Sequence, residues 1–193
     1  MVIRDMSSEE CVGVLARMKV ARLACAFKNQ PYVVPTFLVY HERMPGDACL
    51  YGFTTVGQKV EWMRSNPLVC VEVDEVESNS KWVSVVVFGH YQELPNVPEQ
   101  NIGRPPAREI MDDRYEIASD GPNDFTETLL AHRLLQKHAS WWEPAATSRV
   151  SRINQGSSPV YIPDFYRVSI DRMTGRTATL DAVESVLPPS TNQ

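Results

Sequence analysis

Between Val20 and Leu94 the chain reads as five runs of strand-forming residues, separated by short turns and interrupted by one helical segment. No other feature constrains the fold as strongly. A parallel sheet needs a long crossover, usually a helix, between successive strands, and only one such interruption occurs here. The runs are Val20 to Phe27, Tyr32 to His41, Ala48 to Phe53, Leu68 to Asp74 and Lys81 to Leu94. In the first, Ala21, Leu23, Cys25 and Phe27 recur with period two and share a face. The second (YVVPTFLVYH) is rich in β-branched and aromatic residues; Pro35 inside it marks an edge or a bulge, because proline cannot donate to a ladder. Gly89, inside KWVSVVVFGHYQEL, marks a bulge or a tight bend. Turns are expected at Asn29-Gln30-Pro31 and at Met44-Pro45-Gly46-Asp47. The pattern predicts a mainly β fold with peripheral helices, closed as an antiparallel barrel.

Outside that region the signals are helical or irregular. Ser7 and Glu10 have capping-box spacing, and Cys11, Leu15 and Met18 follow at helical intervals, so a first helix should end near Lys19, with Gly13 weakening it slightly. A proline-bearing loop is expected over Asn96 to Pro106 and a helix over Ala107 to Ile117. Asp124 is a candidate cap for a stronger helix with Leu130, Leu134 and His138 in period, ended by Trp141-Trp142-Glu143-Pro144. Thr147 to Ser158 reads as a loop, and Val160 to Asp171 as a last strand, with Thr174-Gly175 turning into a short extension. The expected organisation is one domain over 1–182, a helical insertion at about 107–140 and a flexible tail at 183–193.

A chain of 193 residues with 43% hydrophobic and 22% charged content suits a soluble globular domain. The net charge of -5 argues against general nucleic-acid binding, which favours a basic footprint. No run is apolar enough to span a membrane, and the polar start Met1 to Glu10 is unlike a signal peptide, so a cytoplasmic location is expected. Cys11, Cys25, Cys49 and Cys70 lack the clustered spacing of a zinc site and read as small buried residues in a reducing compartment. No metal site is expected.

The stretch Tyr51 to Pro67 (YGFTTVGQKVEWMRSNP) carries the chemistry. It reads as a strand end, a hydroxyl-rich turn and a short helix. Thr55 and Gln58 have capping-box spacing, which predicts a helix start at Val56, with Val56, Val60 and Met63 on the buried face and Lys59 at its border. Asn66-Pro67 stops the helix. Read alone, the stretch is either a capped surface helix with a solvated lysine, the commoner arrangement, or a phosphate seat built from Thr54, Thr55, Gln58, Lys59 and the open N–H groups of the first turn. Trp82 and Ser84 lie two residues apart on one strand face. His41 and His90 fall on strands, and His132 and His138 on a helix; structural or solvated roles are expected for all four.

The pieces PYVVPTFLVY, LYGFTTVGQK, NPLVCVEVD and W-x-S-V-V-V-x-G occur here in one order. Together they resemble the pyridoxamine 5'-phosphate oxidase-related, FMN-binding split-barrel superfamily, in particular its branch similar to nitroimidazole-resistance proteins. The resemblance covers Ser7 to Leu94 and continues more weakly through Trp141-Trp142-Glu143-Pro144 and YRVSIDRMTGR. It implies a six-stranded antiparallel split β-barrel, a homodimer with flavin sites at the subunit interface, and oxidoreductase chemistry on a small molecule. A non-catalytic flavin, haem or small-metabolite binding protein on the same barrel is the alternative. Carried onto this chain, Lys59 and Gln58 would hold the FMN phosphate, with Thr54 and Thr55 adding hydroxyls and Phe53 beside them. Val34, Pro35 and Thr36 would line the ring with backbone contacts. Trp82, Ser84 and Val85 would approach from the neighbouring strand or from the other subunit, and Trp141 and Trp142 would either cover the ring or anchor a terminal segment. FAD, a deazaflavin or haem are alternative occupants. Two departures limit the transfer. Gly52-Phe53 stands where many relatives carry a histidine, and the basic substrate-binding set of the vitamin B6 oxidase has no match here. Vitamin B6 oxidation is therefore not predicted, and no catalytic residue is assigned.

Overall fold

The computed structural model describes residues 1–95, 125–137 and 164–180. Its elements in chain order are β1 (Val2–Asp5), α1 (Ser8–Arg17), β2 (Val20–Phe27), β3 (Gln30–Met44), β4 (Asp47–Thr54), α2 (Gln58–Ser65), β5 (Leu68–Ser78), β6 (Lys81–Glu93), α3 (Thr126–Gln136) and β7 (Asp164–Thr179). The sheet runs β1-β7-β4-β3-β2-β5-β6 and β6 pairs back onto β7, all antiparallel. Strands β2 to β7 thus close the expected six-stranded split barrel, and β1 is an added edge strand on β7.

The split arises on β3. Its first half, Gln30 to Phe37, pairs with β2, and its second half, from Leu38, pairs with β4. The β2–β3 hairpin turns on Lys28 and Asn29, both in the left-handed region (φ 47 and 64), so the turn lies one step earlier than Asn29-Gln30-Pro31. A two-residue turn of this kind matches the strand twist and makes Phe27 and Gln30 a hydrogen-bonded pair. At the other end Leu38 N–H donates to Lys19 O at 2.9 Å, in the same phase. Even-numbered residues of this half therefore turn their backbone groups to β2. Pro31 and Pro35 occupy the alternate positions, where no ladder donor is lost. Pro35 marks an edge, as expected of it.

Two apolar clusters hold the fold. Inside the barrel, Leu23, Cys25, Leu38, Leu50, Val71, Val85, Val87, Tyr166 and Val168 pack with Cys11, Val14 and Leu15 of α1 and with Val60 and Met63 of α2. On the outer face, Phe37, Val39, Cys49 and Tyr51 are covered by Leu130, Ala131 and Leu135 of α3. The capping box of α1 is formed, with Ser7 N donating to Glu10 Oε2 at 2.8 Å and Glu10 N to Ser7 Oγ at 3.2 Å. Gly89 sits at a register shift between β6 and β7, where a Cβ would run into Ser169 O.

Two expectations are corrected, and one strand is added. β7 does not turn at Thr174-Gly175 but continues to Thr179; Gly175 instead gives clearance to the N-terminal segment, since a Cβ there would stand 2.5 Å from Cys11 Sγ. β1 was not signalled by periodicity, because every one of its residues is exposed. The N-cap of α3 is Phe125, with no side-chain cap bond, in place of Asp124. The expectations for 96–124, for His138, Trp141 and Trp142, for 147–163 and for the tail lie outside the described residues. All four cysteines are free, and only Cys70 is not buried. Among the described residues no helix is long and apolar enough to cross a membrane, and no group of three or more His, Cys, Asp or Glu could hold a metal ion.

Candidate functional site

The site grows from the end of β4. Thr54 is buried and its Oγ1 donates to Thr55 O at 3.1 Å. The helix that follows begins at Gln58 rather than Val56. Gly57 is its N-cap, and no side chain caps it, so the Thr55–Gln58 box does not form. Moving the cap two residues on leaves the Thr55 hydroxyl outside the helix and the first-turn N–H groups without a competing side chain. Val60 and Met63 are fully buried, which pins the helix over the barrel end, while Val56 is only partly buried. Asn66 closes it, its N–H donating to Trp62 O at 2.8 Å, and Pro67 follows.

Lys59 lies half-buried on the flank of α2, facing Cys25 of β2. Burial pushes its pKa down and that of the Cys25 thiol up. Arg17, Arg22, Arg43, Arg64, Lys81 and Arg167 each meet a carboxylate, whereas no ion pair among the described residues reaches Lys59. A half-buried cation without a carboxylate, beside an uncapped helix start, is a donor set suited to an anion. Gln58 is exposed next to it.

Across the split runs the open edge of β3. Val34 and Thr36 turn their backbone groups to β2, so the groups presented at the open edge belong to Val33, Pro35 and Phe37. Val33 and Phe37 at that edge were not among the expected site residues, because a period-two pattern does not say which edge of a strand is free. The Thr36 side chain is buried and its Oγ1 lies 3.0 Å from Tyr166 Oη. Phe53 turns to the outer cluster, its ring 6.3 Å from that of Phe37, beneath α3.

Trp82, Ser84 and Val85 are not brought to this split within one chain. The Val85 side chain is fully buried in the barrel. Ser84 Oγ donates to Glu72 Oε1 at 3.3 Å, and Trp82 pairs with Val76 and Ala178. Strands β2 and β5 lie between β3 and β6, so three inter-strand steps of ~4.8 Å separate the two groups across the sheet. Trp82 and Ser84, however, share the outer sheet face with Val33, Pro35 and Phe37. That face carries Val20, Val33, Leu68 and Val76 at 44%, 55%, 58% and 65% exposure, around Arg22 paired with Glu72 and Asp74.

The profile of a protein family described as pyridoxamine 5'-phosphate oxidase matches residues 7–124. An uncharacterised protein of Rhizobium meliloti (strain 1021) is 39% identical over 178 residues, covering 92% of this chain and 97% of that one. Among solved structures, a FAD-binding protein of Mesorhizobium loti is 33% identical with a TM-score of 0.61, over 93% of this chain and 99% of its own. A protein named for 5-nitroimidazole antibiotic resistance, from Bacteroides thetaiotaomicron, has the same fold at 14% identity and a TM-score of 0.54, over 92% and 89%. The chain belongs to the pyridoxamine 5'-phosphate oxidase-related family of split-barrel proteins.

Proposed function

We propose that this chain binds a flavin at the β3–β4 split, as a homodimer, and serves as an oxidoreductase toward a small molecule. The observation that carries the reading is Lys59: half-buried, met by no carboxylate among the described residues, and set beside the uncapped first turn of α2. The similarity to a FAD-binding protein along nearly the whole chain supports it. Lys59, the N–H groups of Gln58 and Lys59, and the Thr55 hydroxyl would hold the phosphate of FMN or the diphosphate of FAD. The open edge at Val33, Pro35 and Phe37 would meet the polar rim of the ring. A bound flavin supplies the electron-transfer chemistry; the protein binds it, orients it and sets its electrostatics.

The placement of Trp82 and Ser84 supports the homodimer in this reading. Two strands separate them from the split of their own chain, yet they lie on the exposed apolar sheet face. A second copy packed on that face would bring its own Trp82 and Ser84 to this split. Four free cysteines suit a reducing, cytoplasmic setting.

Protein purified from cells and reconstituted with FMN or FAD should show flavin absorbance, and the released cofactor identified by mass should be one of these two. Lys59→Ala should lose most of it. Bleaching by NADH or NADPH distinguishes an oxidoreductase from a flavin carrier. A colourless protein that takes up neither flavin overturns the reading.

A further inference from the structure

Tyr166 is fully buried, and its hydroxyl reaches Thr36 of β3, the neighbour of Pro35 at the open strand edge. The residue enters from β7, opposite Gly52 of β4. Its ring passes over Gly52, where a Cβ would stand 2.6 Å from Tyr166 Cζ and 2.7 Å from its Oη. The ring is flanked by that of Tyr91, with centroids 5.3 Å apart. Glycine at 52 thus opens the passage by which a β7 side chain crosses β4 and reaches β3. There Tyr166 Oη meets Thr36 Oγ1 at 3.0 Å, across 130 residues of sequence, and no other partner for the phenol is present among the described residues.

The hydrogen-bond inventory sets the direction. A buried phenol that only accepted would leave its own proton unpaired among apolar side chains, which is unfavourable. Donation from Tyr166 to Thr36 satisfies it. The Thr36 hydroxyl then keeps its own proton for a second acceptor. Thr36 is 8% exposed and adjoins Pro35 on the half of β3 that β4 does not cover.

We infer that Tyr166 is a positioning residue that, by donating to Thr36 Oγ1, holds the Thr36 hydroxyl as an oriented donor toward a carbonyl oxygen or ring nitrogen of the flavin at the split. The inference rests on the proposed flavin site and deepens it. Thr36 contributes through its side chain, while its backbone serves the ladder to β2. Such a donor stabilises electron density gained by the ring on reduction, so the pair sets the reduction potential as well as affinity.

The test uses the full chain loaded with FMN, in wild type, Tyr166→Phe, Thr36→Val and Thr36→Ser, with folding checked by circular dichroism. Tyr166→Phe keeps the ring and removes one oxygen. It should weaken FMN binding about three- to tenfold, as loss of one neutral hydrogen bond implies, and shift the potential of the bound flavin to a more negative value. Thr36→Val should do the same, the double variant should add little, and Thr36→Ser should retain wild-type values. A Tyr166→Phe protein with lower melting temperature but unchanged affinity, potential and flavin absorption overturns the inference and leaves the pair as packing. Wild-type protein that takes up no flavin overturns the proposed function and this inference together, an outcome distinct from the first.

Discussion

Arg167 of β7 donates from Nη1 to Glu127 Oε1 of α3 at 2.6 Å. The same carboxylate oxygen accepts from Tyr51 Oη at 2.9 Å and from Arg43 Nη1 at 3.1 Å, so one atom ties α3 to β3, β4 and β7. The three charged side chains are 18% to 21% exposed, a setting in which water screens them poorly. The helix so held covers Phe37 and packs on Phe53, the two rings behind the rim of the split.

Glu127→Gln should destabilise the protein by about 2–3 kcal/mol. That is below the full cost of breaking a buried ion pair, because Arg43 keeps Asp47 and Arg167 keeps Gln92. Chemical denaturation measures the total, and amide exchange should accelerate over 126–136 before it does in the barrel strands. Uniform exchange rates in the variant would count against Glu127 as the tie.

Gly52→Ala should cost about 1–3 kcal/mol through overpacking, since the new methyl meets Tyr166 and the Leu38 side chain, at 2.7 Å. Trimming Tyr166 to Leu in the same chain should recover part of that loss. A double-mutant cycle showing no coupling would mean that the contact relaxes elsewhere.

The affinity of the proposed site for anions should depend on pH in a stated direction. Burial lowers the pKa of Lys59 from its ordinary 10.5, so folding penalises its charged form. That penalty on the folded state persists below the lowered value and is relieved as pH rises past it. A bound phosphate favours the charged lysine, so binding takes up protons and weakens as pH climbs through the lowered value. FMN titrations across that range should show the decline in wild type and a flatter profile in Lys59→Met.

His41 gives a second pH signature. Burial first, then the nearby Arg43 and Lys137, lower its pKa from 6.5. As pH falls below 6.5 the unfolded chain takes up the proton first, so stability declines from there down through the folded value. Denaturation midpoints measured on both sides of 6.5 should show that decline, and His41→Gln should reduce its slope.

The exposed sheet face should govern both assembly and cofactor retention. Val76→Lys places a charge beside Trp82 on that face, at a position 65% exposed in the single chain. If the proposed homodimer uses this face, light scattering should report dissociation, and flavin should be lost in parallel although Lys59 is untouched. A dimeric, flavin-loaded variant would place the contact elsewhere.

Local signals succeeded where neighbouring residues settle the outcome. The period-two run Val20 to Phe27 became β2 with the same bounds, Asn66-Pro67 closed α2, and Ser7 with Glu10 formed a capping box. Spacing identical to that of Ser7 and Glu10 failed at Thr55 and Gln58: the helix starts at Gln58, with Gly57 as its N-cap and no side-chain cap. Thr174-Gly175 looks like a turn in sequence, but ladders to β6 and β1 carry the strand through it. The pairing of Thr36 with Tyr166 left no local trace at all, since both are ordinary strand residues.

The sequence by itself determined that this chain makes an antiparallel barrel with one short helix between its third and fourth barrel strands. Alternation, turn residues and proline act within a few positions of one another. Tertiary structure decided which edge of β3 stays open, that Lys59 is half-buried with no ion pair among the described residues, and which buried hydroxyls meet. Those outcomes depend on closure of the ring, which sets residues 130 positions apart at 3.0 Å and gives Lys59 its half-buried place above Cys25. Burial and unshared hydrogen-bonding groups are properties of the closed barrel, and they carry the function proposed for it.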